Sequence, residues 1–338
     1  MSSPFFRQRA EPDRPRVRTL LCMRSRRLLR LGLFATLAYL AFCGAAGIFV
    51  AEATLHPGRR SLREADYLQA RTMALRHDSQ IDNVVTLASD GSHLQAWSIR
   101  PSQRNGDAVI LLHGLSDNRM GMIGYAEMLL NQGFTILMPD ARDHGASDGA
   151  VATYGLLEAE DIRKWFDWLR DHDHPNCIFG FGESMGAAQL LQSLTAETRF
   201  CAVAAESSFS SLREIAYDRV GQFFGTGPWL GRTFLRPVVE VAFIYTQHRY
   251  RLGLQTVSPL AAVTTTHVPV FLIHGQQDGN IPTRHSRMIA AHNPSVVVWE
   301  VPGADHCGAV GAAPRQFEKT LISWFVAHPG PKAALLGH

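Results

Sequence analysis

The sequence contains few cysteines, and none of them has the spacing of a metal site or of a disulfide-rich scaffold. The five are Cys22, Cys43, Cys177, Cys201 and Cys307, and no two of them form a C-x-x-C pair. Structural zinc sites and small disulfide scaffolds both depend on closely spaced cysteines, so both classes are excluded. An isolated disulfide is still compatible with this spacing, and the cysteine content therefore does not identify the compartment.

The sequence also lacks the glycine motifs of nucleotide-binding proteins. No G-x-x-x-x-G-K-[ST] occurs, which excludes a P-loop enzyme. Gly180, Gly182 and Gly186 are spaced G-x-G-x-x-x-G in mid-chain, whereas a dinucleotide site has G-x-G-x-x-G in its first strand–helix unit. The segment 171–174 (Asp-His-Asp-His) stands at a predicted helix end before Pro175 and is interpreted as a solvated turn, not a metal site. We therefore expect no cofactor and no metal.

An excess of basic charge is confined to the N-terminus. Residues 1–30 carry nine arginines and two acids, and the rest of the chain has four more acids than bases, for a formal net charge of +3 overall. A nucleic-acid-binding surface needs basic residues on the folded domain, so no nucleic-acid partner is expected.

Only one stretch is apolar for long enough to span a bilayer. It runs from Leu31 to Ala51 without a charge, and a helix of about 20 residues matches a hydrocarbon core of about 30 Å. Because arginines precede it, residues 1–30 are predicted to be a cytoplasmic tail and residues 31–51 an anchor, with the rest of the chain on the outer (periplasmic or lumenal) side. The alternative is a signal peptide cleaved near Ala51-Glu52-Ala53, which would make the protein secreted. The apolar stretch is longer than a usual signal core, which favours the anchor.

After a connecting segment at residues 52–80, strand and helix patterns alternate. Strands are predicted at 84–88, 94–100, 108–112, 134–138, 177–181, 201–205, 268–273 and 296–300, the first two as a hairpin. Apolar runs such as Ala108–Leu112 are typical of strands buried on both faces, and intervening helices indicate parallel order. We therefore predict an α/β domain at residues 81–328, with a mostly parallel central sheet flanked by helices.

Residues 207–265 interrupt this alternation. The segment is rich in large apolar residues, among them Phe209, Phe223, Phe224 and Trp229, and it is broken by glycine and proline. Since ligands of open parallel sheets bind beyond the carboxyl ends of the strands, we predict a small helical cap over that edge. The alternative is a pair of helices packed on the core without contact to a substrate.

A G-x-S-x-G motif, Gly182-Glu183-Ser184-Met185-Gly186, stands between a predicted strand and a predicted helix. Its glycines permit a sharp turn that lifts a serine hydroxyl clear of the sheet, and the N-terminus of the following helix favours negative charge there. Ser184 is therefore the predicted nucleophile.

A serine nucleophile needs a histidine base and a carboxylate that orients this base. Asp278 follows the strand predicted at 268–273, and His306 follows the strand predicted at 296–300. This is the order Ser, Asp, His that accompanies a G-x-S-x-G turn. We predict Ser184, Asp278 and His306 as the catalytic triad, with Asp305 and Glu206 as alternative acids.

Two backbone amides are predicted to bind the oxyanion. Leu115 lies in the loop after the strand at 108–112, and Met185 directly follows the nucleophile. His113, in the same loop, could be read as the base, but it precedes the serine and is assigned to bracing the loop.

At these motifs the sequence resembles the α/β-hydrolase superfamily, particularly its membrane-anchored esterase and lipase-like members. The resemblance covers about residues 80–328 and includes the segment 140–147 (Asp-Ala-Arg-Asp-His-Gly-Ala-Ser), which is similar to a D-x-R-G-H-G-x-S loop with Asp143 in place of glycine. It implies the α/β-hydrolase fold and hydrolysis of an ester, thioester or amide through an acyl-enzyme, without a cofactor.

The function expected is that of a serine hydrolase cleaving an ester or related acyl bond, as carboxylesterases and lipases do. The anchor and the apolar cap favour a small acyl or lipid substrate. The alternatives are a serine peptidase or thioesterase on the same fold, and a catalytically silent, membrane-anchored binding protein.

Overall fold

A central sheet runs through the computed structural model of the protein, which describes residues 16–330. In this range eight strands are found: β1 Ser79–Leu87, β2 His93–Pro101, β3 Ala108–Leu112, β4 Thr135–Pro139, β5 Ile178–Glu183, β6 Val203–Glu206, β7 Val270–Gly275 and β8 Val297–Val301. The helices are α1 Arg16–Leu55, α2 Glu64–Arg76, α3 Ile123–Leu130, α4 Glu158–Asp173, α5 Met185–Ser193, α6 Leu212–Phe224, α7 Trp229–Arg232, α8 Arg236–Arg249, α9 Pro259–Thr265, α10 Arg284–Ala290, α11 Ala309–Ala312 and α12 Pro314–Val326. The first 15 residues of the predicted basic tail lie outside the described residues.

The strands are ordered β1-β2-β4-β3-β5-β6-β7-β8. The β1–β2 hairpin is antiparallel, β2 is antiparallel to β4, and every pair from β4 to β8 is parallel. The predicted mostly parallel sheet is therefore confirmed. The hairpin is longer than predicted, because pairing extends to Ser79 opposite Pro101.

Helices cover both faces of the sheet, as their apolar spacing requires. Helix α4 has Ile162, Trp165, Phe166 and Leu169 on one side, at the three- and four-residue spacing of a helix face, and all four are buried with α5, α9 and α10. Helices α2, α3 and α12 pack on the opposite face. The sheet is thus buried on both sides and provides a rigid base for the loops at its edge.

A disulfide joins the starts of two neighbouring strands. Cys177 precedes β5, Cys201 precedes β6, and the two are bonded. The sequence predicts strands that begin at Cys177 and Cys201. The observed strands begin one and two residues later, at Ile178 and Val203. This bond is the isolated disulfide with which the cysteine spacing is compatible.

The insertion after β6 forms helices of two kinds. Helices α6, α7 and α8 pack with one another, whereas α9 packs on α5 and buries Val263 in the core. The name "cap" is therefore kept here for α6–α8, residues 212–249. Helix α9, which the predicted cap segment includes, lies on the sheet because its apolar side chains pack against α5.

The long helix α1 contains the predicted anchor. Its part Arg26–Leu55 is long and apolar enough to cross a membrane, by length and composition. One side of this part packs along α8 of the cap. Cys43 is buried there, and a Cβ atom on Gly47 would lie 2.6 Å from Val241, so glycine allows the two helices to approach closely.

The C-terminal end of α1 is hydrogen-bonded to the domain. The carboxylate of Glu52 accepts hydrogen bonds from the hydroxyls of Tyr245 and Tyr250. The Leu55 carbonyl accepts from the Ala152 amide at 2.9 Å, and the Leu55 side chain is fully buried. The C-terminal end of α1 is therefore packed into the folded domain.

Candidate active site

The turn at Ser184 lies between β5 and α5, where the sheet edge opens. Chain connections leave β3 and β5 in opposite directions, so the crevice of the sheet lies beyond their carboxyl ends. Ser184 has φ 51° and ψ −113°, a sparsely populated conformation that costs about 1–3 kcal/mol. A Cβ atom on Gly186 would lie 2.3 Å from the Leu112 carbonyl oxygen, and one on Gly182 would lie 2.6 Å from Gly186. The two motif glycines therefore make the turn sterically accessible.

Ser184, His306 and Asp278 form one chain of hydrogen bonds. His306 Nε2 lies 2.9 Å from Ser184 Oγ, and His306 Nδ1 lies 2.9 Å from Asp278 Oδ2. The three come from loops after β5, β7 and β8, which end at the same edge of the sheet. The Asp278 side chain is fully buried, whereas His306 is partly exposed. The arrangement can pass the serine proton to the imidazole.

The carboxylate of Asp278 is held from several sides. Its Oδ1 accepts the amides of Asn280 and Ile281 at 2.9 and 2.8 Å, and its Oδ2 lies 3.3 Å from His274 Nε2 as well as facing His306. Burial alone would raise the pKa of Asp278, but hydrogen bonds from His274 and His306 outweigh it and hold the pKa below its usual range. Asp278 is therefore ionised at neutral pH. No sequence motif predicts a role for His274, whose only signal is its place at the end of β7.

The two alternative acids have other contacts. Asp305 Oδ1 accepts the backbone amides of His306 and Gly279 at 2.8 and 3.2 Å. Glu206 accepts the Ala309 amide at 2.9 Å. Among the described contacts, neither carboxylate meets the His306 ring, so both serve to hold the loops around it.

The two predicted oxyanion amides are free to donate. Met185 is the first residue of α5, so its amide has no acceptor within the helix. In residues 16–330 neither the Met185 amide nor the Leu115 amide donates a hydrogen bond to another protein group. Both residues line the same cavity as Ser184.

The loop that carries Leu115 is braced by two buried histidines. His113 Nε2 accepts the Ala141 amide at 3.1 Å, and His144 Nε2 accepts the Ser116 amide at 3.2 Å. These contacts match the bracing role predicted for His113. Asp143, which stands in place of glycine in the 140–147 segment, has φ 59°, the left-handed region that favours glycine.

Two carboxylates, the half-buried Glu183 and the fully buried Glu206, end neighbouring strands beside the nucleophile turn. Glu183 ends β5 and pairs in register with Glu206 at the end of β6. Burial, together with the nearby charge of Glu206, raises the pKa of Glu183 to about 7. Glu183 is therefore partly protonated near neutral pH, because two adjacent carboxylates with little access to water resist ionising together.

We expect Glu183→Gln to stabilise the protein at alkaline pH. The folded state holds the Glu183 proton more tightly than the unfolded state, whose pKa is near 4.5. The native protein therefore loses stability as pH rises from about 4.5 to about 7, and the variant lacks the part of this loss that comes from Glu183. Above pH 7 the variant should gain up to about 3 kcal/mol in free energy of unfolding, and below pH 4.5 the difference should vanish. Denaturant unfolding between pH 4 and 9 measures the difference in free energy of unfolding between the variant and the native protein, with Glu318→Gln as a charge-matched control. A pH-independent difference would contradict this account.

A second Ser–His–Asp arrangement is present but fully enclosed. His285 Nδ1 lies 2.9 Å from Ser210 Oγ, and His285 Nε2 lies 2.7 Å from Asp218 Oδ2. The Ser210 amide also donates to Nδ1, and Arg284 pairs with Asp218. All three members of the arrangement are buried and none lines the cavity, so it joins the cap helix α6 to α10 as a structural link.

A cavity of about 580 Å³ opens at Ser184. It lies between the sheet edge, the cap and α1, and its lining is almost wholly apolar. Among the described residues that line it, Arg219 of α6 carries the only charge. Its size and lining are typical of a site for a small apolar ligand, with a few polar groups at the reactive end.

Related proteins share this fold. An esterase of Pyrococcus furiosus superposes with a TM-score of 0.63 at 22% identity, over 81% of this chain and 99% of its own. An esterase of Rhodococcus superposes with a TM-score of 0.53 at 18% identity, over 73% of this chain and 99% of its own. At such identities the likeness shows the fold alone.

Sequence comparison identifies the family. The uncharacterized protein YqkD of Bacillus subtilis is 27% identical over 195 residues, 57% of this chain and 61% of that protein, so the match spans less than two thirds of its length. The uncharacterized protein YfhR of Escherichia coli is 27% identical over 238 residues, 68% of this chain and 74% of that protein. The sequence profile of the alpha/beta hydrolase family matches residues 109–320, more than half of the chain. The chain therefore belongs to the alpha/beta hydrolase family.

Proposed function

We propose that the protein is a serine hydrolase that cleaves an ester or related acyl bond through an acyl-enzyme. The observation that carries this proposal is the chain of hydrogen bonds from Ser184 through His306 to Asp278, which begins at the wall of an apolar cavity. The same contacts argue against a silent binding protein, which has no need of an activated serine.

In the first half of the reaction, Ser184 Oγ attacks the acyl carbon while its proton moves to His306 Nε2. Asp278 accepts a hydrogen bond from Nδ1 and stabilises the imidazolium. The tetrahedral intermediate collapses when the C–O bond to the leaving group breaks, and His306 returns the proton to the leaving oxygen. In the second half, water loses a proton to His306 and attacks the acyl carbon. The C–O bond to Ser184 Oγ then breaks, His306 returns the proton to this oxygen, and the acid leaves.

The oxyanion of both intermediates binds to the amides of Leu115 and Met185. Two observations support this assignment. Leu115 and Met185 line the same cavity as Ser184, and within the described residues neither amide donates to another protein group. Loss of one such donor commonly raises the barrier by about 3–4 kcal/mol.

An acyl or lipid substrate is favoured over a peptide or a thioester. The cavity beside Ser184 has few polar groups besides the serine, whereas a peptide needs partners for its amide groups. Esterases and an acylaminoacyl peptidase are both among the solved structures of similar fold, so the fold itself does not discriminate.

We further propose that α1 is an uncleaved anchor and that the domain lies on the outer side of the membrane. Cleavage near Ala51 would remove Cys43 and Gly47 from their contacts with the cap. The disulfide between Cys177 and Cys201 supports an oxidising compartment.

A fluorophosphonate reagent tests the hydrolase proposal. An activated serine displaces fluoride from phosphorus and keeps the phosphonyl group, so we expect one adduct, on the peptide that contains Ser184. Mass spectrometry of protein labelled in isolated membranes locates it. An adduct on another serine, or no adduct on well-folded protein, would contradict the proposal.

A further inference from the structure

The helix α1 forms one wall of the cavity that opens at Ser184. Residues of α1 from Phe42 to Thr54 line the cavity on this side, with Ala46 and Phe49 among them. The opposite wall comes from α6 and α8 of the cap, with Phe223, Phe224 and Phe243. The apolar helix that could cross a membrane is thus also a part of the candidate binding site.

The depth at which this wall lies in a membrane follows from the position of its residues within the apolar segment. The cavity-lining part of α1 begins at Phe42 and overlaps the last ten residues of the segment 31–51. Ten helical residues rise about 15 Å, half of a hydrocarbon core of about 30 Å. With α1 inserted, this wall lies in the outer leaflet, where acyl chains are the surrounding solvent.

The rim of the cavity is apolar and exposed. The side chain of Phe223 is 84% exposed and that of Phe49 is 73% exposed, and these residues stand on opposite walls. Phe42 and Phe224 are exposed beside them. Aromatic side chains left open to water in this number mark a surface that another apolar phase covers. Because α1 itself is apolar on its outer side, the covering phase is the bilayer.

Among the described residues that line the cavity, Arg219 of α6 is the single cation, and it is exposed. Arg219 lines the cavity, and its one side-chain hydrogen bond within the described residues goes to Gln222 Oε1 at 3.1 Å. In residues 26–330 no carboxylate lies within 4.0 Å of its guanidinium. Gln222 in turn donates to the carbonyls of Gly279 and Asn280, beside Asp278, so Arg219 lies near the reactive end of the cavity. An exposed guanidinium beside an apolar cavity, with no carboxylate in contact with it, is suited to pair with an anionic group of a ligand.

We propose that the protein takes an anionic lipid sideways from the outer leaflet, through the opening between α1 and α6. The acyl chain lies along α1, the ester carbonyl lies at Ser184, and the anionic headgroup pairs with Arg219. This inference rests on the proposed hydrolase function and names its substrate class. It also requires that α1 stays attached to the mature chain.

A photoreactive probe tests the path of the acyl chain. The probe is an alkyl fluorophosphonate with 14 chain carbons and a terminal diazirine, added to membranes that contain the full chain. After irradiation we expect an adduct on Ser184 whose chain end is cross-linked to a peptide from residues 42–54. No adduct on Ser184 would remove the hydrolase proposal itself. An adduct on Ser184 with cross-links only outside α1, or a mature chain without α1, would overturn the inference alone.

Two neighbouring alanines on α1 provide a matched pair of variants. Ala46 lines the cavity, whereas Ala45 is exposed and does not line it. We expect Ala46→Trp to lower the ratio of kcat/KM for a palmitoyl ester to that for a butyryl ester by tenfold or more, and Ala45→Trp to leave the ratio unchanged. Activity on the butyryl ester shows that each variant is folded. An unchanged ratio in Ala46→Trp would overturn the path along α1.

The role of Arg219 is tested with two lipids that differ in charge. For Arg219→Gln we expect KM to rise about tenfold with 1-palmitoyl lysophosphatidylglycerol and to change little with the uncharged 1-palmitoylglycerol. Arg219→Lys should recover part of the loss, and Arg315→Gln, an exposed residue far along the chain in α12, controls for net charge. Equal losses on both lipids would overturn the anionic headgroup and leave Arg219 a packing role.

Discussion

Replacement of Ser184 by alanine is expected to lower kcat for ester hydrolysis by roughly 10⁴- to 10⁶-fold, with little change in KM. The reason is that no acyl-enzyme forms without the hydroxyl, whereas the cavity that binds the acyl chain is untouched. Stopped assays with a chromogenic butyrate ester on purified full-length protein measure the effect. Alanine at this position loses the hydrogen bond between Ser184 Oγ and His306 Nε2, but His306 is partly exposed to water, so stability should change little.

The enclosed serine provides the matched control for this experiment. Ser210 also lies within hydrogen-bonding distance of a histidine that contacts an aspartate, but it does not line the cavity. Ser210→Ala should therefore leave kcat close to the native value and lower the free energy of unfolding by about 0.5–1.5 kcal/mol, because His285 Nδ1 loses one hydrogen bond and keeps the one from the Ser210 amide. A loss of kcat in Ser210→Ala equal to that in Ser184→Ala would contradict the assignment of Ser184.

Replacement of Asp278 by asparagine is expected to lower kcat by about 10⁴-fold, since such a change in a triad stabilises the wrong tautomer of the histidine. The two backbone amides that hold Oδ1 would still fix the position of the side chain. The amide nitrogen would then face His306 Nδ1 and leave Nε2 with a proton, unable to accept one from Ser184. Burst kinetics with the same ester distinguish slow acylation from slow release of the acyl group.

Asp305→Asn is the control, because Asp305 is the neighbour of His306 in the chain and contacts only backbone amides in the described structure. Its substitution should cost less than about tenfold in kcat. If Asp305→Asn were as damaging as Asp278→Asn, the acid of the triad would have to be reassigned to Asp305.

The parts of the site that lie in short motifs could be predicted from the sequence. Ser184 could be predicted because a G-x-S-x-G motif between a strand and a helix is typical of a sharp turn that exposes the serine hydroxyl. Asp278 and His306 follow apolar strands directly, and parallel strands bring their carboxyl ends to the same edge. Each of these predictions needs only a local sequence pattern and the order of the motifs along the chain.

Other features depend on contacts between distant segments, and the sequence does not contain a local signal for them. The bracing of Asp278 by His274 depends on the conformation of the loop between them. The raised pKa of Glu183 depends on the register of β5 against β6, which brings Glu206 beside it. The packing of α1 on α8 joins residues almost 200 positions apart, and hydropathy alone describes α1 only as a segment able to enter a membrane.

The wall that α1 contributes to the cavity has a practical consequence for inhibitor discovery. Anchored enzymes are commonly produced as soluble fragments that begin after the apolar segment. In this protein such a fragment would lack Ala46, Phe49 and the other residues of the apolar segment that line the cavity. Its cavity would therefore be an open groove. Compounds selected against the fragment would be ranked by their fit to a surface that α1 covers in the full chain. Screening in native membranes or nanodiscs avoids that error.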